Sequence, residues 1–130
     1  MSIEIGLKGR CESVVTPENT ALSVGSGLVP VFATPYLVAL MENAAYTSLI
    51  PHLGEGEGSV GTHLDVAHSA ATPVGMKVWA ESVVTCVEGR KVTFQVRAFD
   101  ERGEIGSGTH ERFIINAEKF LAKAQSKLER

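Results

Sequence analysis

The segment from Pro35 to Ile50 restricts the fold more than any other part of the chain. Its apolar residues, among them Leu37, Val38, Leu40, Met41, Ala45, Tyr46 and Leu49, fall on every side of a helical wheel. A helix that is apolar all round has to be enclosed by the rest of the protein. Thr34-Pro35 marks its start, since a threonine hydroxyl can cap free amides and proline at the first helical position gives up no needed N–H. Pro51, Gly54, Gly56 and Gly58 mark its end. The spacing predicts one helix over about 35–49.

The residues after this helix have to do the enclosing. Four extended segments are predicted at about 59–70, 76–87, 91–100 and 104–116, separated by Thr72-Pro73-Val74-Gly75, Glu88-Gly89-Arg90 and Asp100-Glu101-Arg102-Gly103. In the third, Val92, Phe94, Val96 and Ala98 alternate with Lys91, Thr93, Gln95 and Arg97, which sets one face on a core and one toward water. Ile3, Ile5 and Leu7 alternate in the same way, and that strand continues to Val15 before Thr16-Pro17 breaks it. Residues 18–33 read as a loop or short lid around Gly25-Ser26-Gly27, and the Lys-, Glu- and Ala-rich tail from Ala117 to Arg130 as an exposed helix. The 130 residues carry no linker-like stretch and suit one domain, 1–130. Strand, lid, long helix and four antiparallel strands make an α+β chain whose sheet wraps a single helix.

Several function classes are excluded. With 12 Lys+Arg against 15 Asp+Glu the net charge is -3, so no basic field for nucleic acid exists. No run approaches the ~18 apolar residues of a membrane span, and the first residues, MSIEIGLKGR, lack the apolar core of a secretion signal. Cys11 and Cys86 form no CxxC pair and are expected to be reduced structural residues in a cytoplasmic protein. The sequence has no GxSxG, Walker, HExxH or dinucleotide motif, and His52, His63, His68 and His110 have no metal-site spacing, so neither a metal nor a separate cofactor is expected.

Three residues stand out for chemistry. Glu42 is the one charge in the apolar helix, and an ionised carboxylate in such a setting costs several kcal/mol unless compensated. It either pairs with an arginine or reaches a surface gap, or it is a catalytic carboxylate tuned by its surroundings. His68 shares strand parity with Val60, Thr62, Leu64 and Val66, so it should face the helix, as a satisfied core histidine or as an acid/base partner near Glu42. Thr34 sits where helix amides and the positive end of the dipole favour negative charge. Thr34 and Glu42 are eight residues apart, about 12 Å along a helix, so they meet only through a substrate or water chain or across a dimer interface. Gly61 suggests a bulge or a close backbone approach.

Thr20-Ala21, Gly25-Ser26-Gly27, Val29-Pro30-Val31-Phe32-Ala33-Thr34-Pro35, Glu42-Asn43-Ala44-Ala45, Gly61, His68, Thr72-Pro73-Val74-Gly75 and Gly108-Thr109-His110-Glu111-Arg112 together resemble the hotdog thioesterases of the fluoroacetyl-CoA type. The likeness covers nearly the whole chain without insertions. It implies the hotdog fold, a homodimer with active sites at the subunit interface, and hydrolysis of a small acyl-CoA thioester, with coenzyme A as part of the substrate. It also implies carbonyl polarisation by backbone amides and Glu42 as base or nucleophile, assisted by His68 and Thr34. Gly61, Phe32, Tyr36 and Arg112 become candidate substrate contacts, with Tyr46 a further pocket wall. Arg90, Lys91, Arg112 and Lys119 are cations available to coenzyme A phosphates. The family's lid carries aromatic residues where this chain has Gly25-Ser26-Gly27-Leu28, so fluoroacetyl selectivity is not implied. Competing readings are a hotdog hydratase or dehydratase, whose Asp and His pair in a helix-start motif is missing here, and a non-catalytic acyl-CoA-binding dimer.

Overall fold

A computed structural model describes residues 2–129. The chain runs through β1 (Lys8–Val14), a short helix α1 (Ala21–Val24), the long helix α2 (Thr34–Leu49), β2 (Glu57–His68), β3 (Lys77–Glu88), β4 (Lys91–Asp100), β5 (Gly103–Asn116) and a last helix α3 (Ala117–Gln125). The strands form one antiparallel sheet in the order β1-β3-β4-β5-β2, wrapped about α2, which is the hotdog architecture. The first strand begins later than the alternation of Ile3, Ile5 and Leu7 predicts. Gly6 adopts φ 97° in a turn closed by the Leu7 amide on the Glu4 carbonyl, so the regular strand starts at Lys8, although Gly6 and Leu7 already bond to Val84 of β3.

The core lies between one side of α2 and the inner face of the sheet. Leu37, Met41, Ala44, Ala45 and Leu49 recur at helical spacing and are fully buried, against Val78, Ala80 and Val84 of β3 and Val92, Phe94, Val96 and Ala98 of β4. The alternation read from β4 is thus its inward face. Helix and sheet approach so closely at β1 that a Cβ on Gly9 would lie 2.1 Å from the Ala44 carbonyl oxygen.

The helix is not enclosed all round, however. Tyr36 is 43% and Tyr46 39% exposed, and Pro35 and Ala39 join them on an open apolar stripe. Five strands curve round only one side of a helix, so the remaining apolar residues have no cover among the described residues. Two strand edges are also open, β1 at one end of the sheet and the twelve-residue β2 at the other.

Candidate active site

Thr34 and His68 meet at the N-terminal end of α2. Ala33 is extended (φ -76°, ψ 139°) and Thr34 is the first helical residue. The threonine does not cap the helix as its sequence context predicts. Its hydroxyl lies 2.7 Å from Nδ1 of His68, the last residue of β2, which draws it away from the helix amides. The segment leading into the helix is fixed from both sides. The Phe32 amide donates to the Thr72 carbonyl and the Ala33 amide to the Asn19 carbonyl, while the buried Thr72 hydroxyl donates to Asp100 at 2.8 Å. Within the first turn the Tyr36 and Leu37 amides both bond to the Ala33 carbonyl and Pro35 has no N–H. The Thr34 amide is therefore the one donor of that turn not committed inside the helix. Burial lowers the pKa of His68, opposed in part by the Ala70 backbone, so the imidazole is biased toward its neutral form.

Glu42 lies two turns further along α2 and faces β2 and β5. The β2–β5 register shifts between Gly61 and His63, a bulge at Thr62. This breaks the single row of parity drawn through Val60, Thr62, Leu64, Val66 and His68. Beyond the bulge Leu64, Val66 and His68 do face the helix, paired with the inward positions His110, Gly108 and Gly106. Before it Val60 pairs with the outward Phe113, while Gly61 pairs with the inward Arg112. A Cβ on Gly61 would stand 2.5 Å from Glu42 Oε2, so the close approach expected at this glycine is made by the carboxylate itself.

The group that compensates Glu42 is Arg112. Its Nη1 lies 3.5 Å from Glu42 Oε2, with the two side chains 7% and 35% exposed. Arg112 also donates through Nε to the Ser59 hydroxyl and through Nη2 to the Ser59 carbonyl. Its Nη1 is 3.1 Å from His110 Nε2, and its guanidinium carbon sits 5.7 Å from the Tyr46 ring centre. Burial lowers the Arg112 pKa while Glu42 pulls it back up; an arginine stays charged under such conditions. Arg112 is thus a buried cation and not one of the rim cations considered for coenzyme A phosphates. Arg90 is engaged with Glu57 and Lys91 with Glu88.

Within one chain the structure therefore assembles two separate centres, Thr34–His68 and Glu42–Arg112. The expectation that His68 stands beside Glu42 does not hold in the single chain. The imidazole nearest the carboxylate is His110, reached through Arg112. Phe32 is a core residue at 2% exposure and, with Tyr36, Ala39 and Cys11, lines a cavity of about 200 Å³ between β1 and α2. A larger one of about 420 Å³, lined by Tyr46, Gly58 and Ser59, opens beside the Arg112 cluster. The lid leaves Leu28 88% and Val29 58% exposed. Sequence reasoning missed Ser59 and His110. The signal for His110 was available, because it shares strand parity with Arg112 two residues on.

A five-stranded antiparallel sheet around one long helix is the hotdog fold, and the thioesterase class within it is given by the relatives that the chain matches. The family model described as fluoroacetyl-CoA-specific thioesterase (FlK) matches residues 15–118. The chain belongs to that family. It is 50% identical over 97 residues to the fluoroacetyl-CoA thioesterase of Streptantibioticus cattleyicolor, covering 75% of this chain and 70% of the relative. The crystal structure of an FlK variant in complex with fluoroacetate and CoA superposes with a TM-score of 0.86 at 40% identity, covering 91% of this chain and 99% of that one. A thioesterase superfamily member from Thermus thermophilus superposes at 0.91 with 34% identity, over 99% and 96% of the two chains.

Proposed function

We propose that this protein hydrolyses the thioester of a short or medium acyl-CoA to a carboxylic acid and free coenzyme A, using Glu42, His68 and Thr34. The observation that carries the reading is the 2.7 Å Thr34–His68 pair at the start of the helix that also bears the arginine-paired Glu42. Membership of a family with a relative crystallised with fluoroacetate and CoA supports the substrate class.

In this reading the thioester carbonyl sits at the α2 N-terminus. The uncommitted Thr34 amide and the positive end of the dipole stabilise the oxygen as it gains charge. Glu42 takes the proton of an attacking water, or attacks the carbonyl carbon and is released by water. Both routes break the C–S bond and end in the same acid and thiol. His68, biased toward its neutral form, accepts from Thr34, and it relays to the leaving thiolate the proton given up by the attacking water. Coenzyme A enters as part of the substrate. The free thiols of Cys11 and Cys86 agree with a cytoplasmic protein.

The two centres lie about 12 Å apart along one helix, and a homodimer brings them together, with each active site at the subunit interface. The open β2 edge and the exposed stripe of Pro35, Tyr36, Ala39 and Tyr46 supply the surface for a second copy.

The test is free-thiol release from a panel of acyl-CoA esters, fluoroacetyl-CoA included. Glu42→Gln should lower kcat at least about 100-fold. Mixing it with Thr34→Val should restore activity through hybrid dimers. Equal rates for wild type and Glu42→Gln would remove the basis for the hydrolase reading, and mixtures that stay inactive would place both centres of one site in a single chain.

A further inference from the structure

The Glu42 centre contains one buried ionisable group with no part in the reaction above. His110 on β5 is fully buried, packed against Phe94 with ring centres 6.0 Å apart. Its Nδ1 is 2.9 Å from the His63 carbonyl oxygen, at the point where register resumes after the bulge. A carbonyl can only accept, so Nδ1 carries a hydrogen. Its Nε2 is 3.1 Å from Nη1 of Arg112, and a guanidinium can only donate, so Nε2 carries a lone pair. Both neighbours require the same state, a neutral imidazole protonated on Nδ1.

Nη1 is the arm of Arg112 that also faces Glu42, while Nε and Nη2 are tied to Ser59. From this shared arm we infer that His110 is a positioning residue: its Nε2 lone pair holds Nη1 of Arg112 in the place from which it pairs with the Glu42 carboxylate. A proton on Nε2 would set donor against donor and cation against cation, and the arm would leave. The charged groups that act on the ring are Arg112 and Glu111 on β5 and Glu42 on α2, with the His63 backbone carbonyl of β2 at Nδ1 and Tyr46 of α2 beyond Arg112. Burial, first, and Arg112 lower the imidazole pKa; the His63 carbonyl, Glu42 and Glu111 oppose them. The neutral state therefore extends below the ordinary range for histidine.

This inference deepens the proposed reaction and rests on it for its kinetic readout, so the experiment has a second arm independent of turnover. His110→Gln places an amide oxygen near the position of Nε2, where it can accept from Arg112, and it does not titrate. His110→Asn places its amide near the position of Nδ1, keeps the donor to His63 and leaves nothing that reaches Arg112. With both variants folded by circular dichroism, Asn should lose about 10- to 100-fold in kcat with KM little changed, since only the placement of a reacting carboxylate is disturbed. Gln should keep most of kcat and show a less steep acid limb in its pH profile. Equal losses in the two variants, or no loss in Asn, would overturn the inference. In the turnover-independent arm, nitrogen NMR of wild type at pH 7 should show His110 with Nδ1 protonated and Nε2 bare. A protonated Nε2 overturns the inference whether or not the protein hydrolyses any thioester, and a wild type inactive on every acyl-CoA counts against the hydrolase reading alone.

Discussion

Replacing Gly61 with alanine sets one methyl group against the Glu42 carboxylate. The backbone tolerates it, because Gly61 is not among the glycines with positive φ. The added Cβ would stand 2.5 Å from Glu42 Oε2, 3.1 Å from His110 Cε1 and 3.3 Å from Arg112 Nη1, where ordinary contact begins at 3.4 Å. The last two shortfalls are a few tenths of an ångström. The first is roughly 0.9 Å and falls on the one neighbour that ends a flexible, partly exposed side chain. Glu42 is therefore the group that moves. A displacement of about 1 Å at a reacting group costs on the order of 100-fold in rate. Stability should change little, because Arg112 keeps its bonds to Ser59 and His110, and the lost pairing is offset by the ~0.4–1 kcal/mol that Gly→Ala gains from a less flexible unfolded chain. A net change within about 1 kcal/mol moves Tm by only about 4 °C. Thiol release and thermal unfolding measured on the same preparation decide the matter. Activity within about threefold of wild type at unchanged Tm would refute the reasoning, and so would a Tm drop beyond about 10 °C, which would make the glycine a requirement of the fold.

Gly9→Ala should behave in the opposite way. Its Cβ would meet the Ala44 backbone carbonyl at 2.1 Å, so strand or helix must shift, and unfolding in denaturant should show a loss of about 1–3 kcal/mol; an unchanged midpoint would contradict the packing described between β1 and α2. The buried histidines should also make stability depend on pH. His68 and His110 both have pKa values lowered in the fold, chiefly by burial, so below the unfolded value near 6.5 the unfolded chain binds more protons than the folded one. Stability should be fully present above that value and fall as pH drops from about 6.5 toward 5, and His110→Gln should flatten part of the slope in equilibrium unfolding.

Most of the fold is legible in the chain because it is written in local periods. The alternation of Val92, Phe94, Val96 and Ala98 names β4 and its inner face, and Thr34-Pro35 with Pro51 and Gly54 brackets α2. The order of the strands is not legible in the same way, because β2 lies beside β5 and not beside β3, which follows it in the chain; Glu42, by contrast, stands out as the single charge in its helix. Its partner does not, since Arg112 is 70 residues away and looks like any other arginine on an alternating strand. The bulge at Thr62 was signalled only as one of two readings of Gly61, since a one-residue slip leaves no periodic pattern that locates it, yet it turns Gly61 inward and lets the carboxylate approach. The Thr34 hydroxyl reads as a helix cap until His68, 34 residues on, competes for it. Local sequence thus determined the elements and which faces are apolar, because periodicity and turn chemistry act over a few residues. Only the tertiary structure decided which polar groups meet, because hydrogen bonds and ion pairs depend on distances that the closing of the sheet around the helix sets.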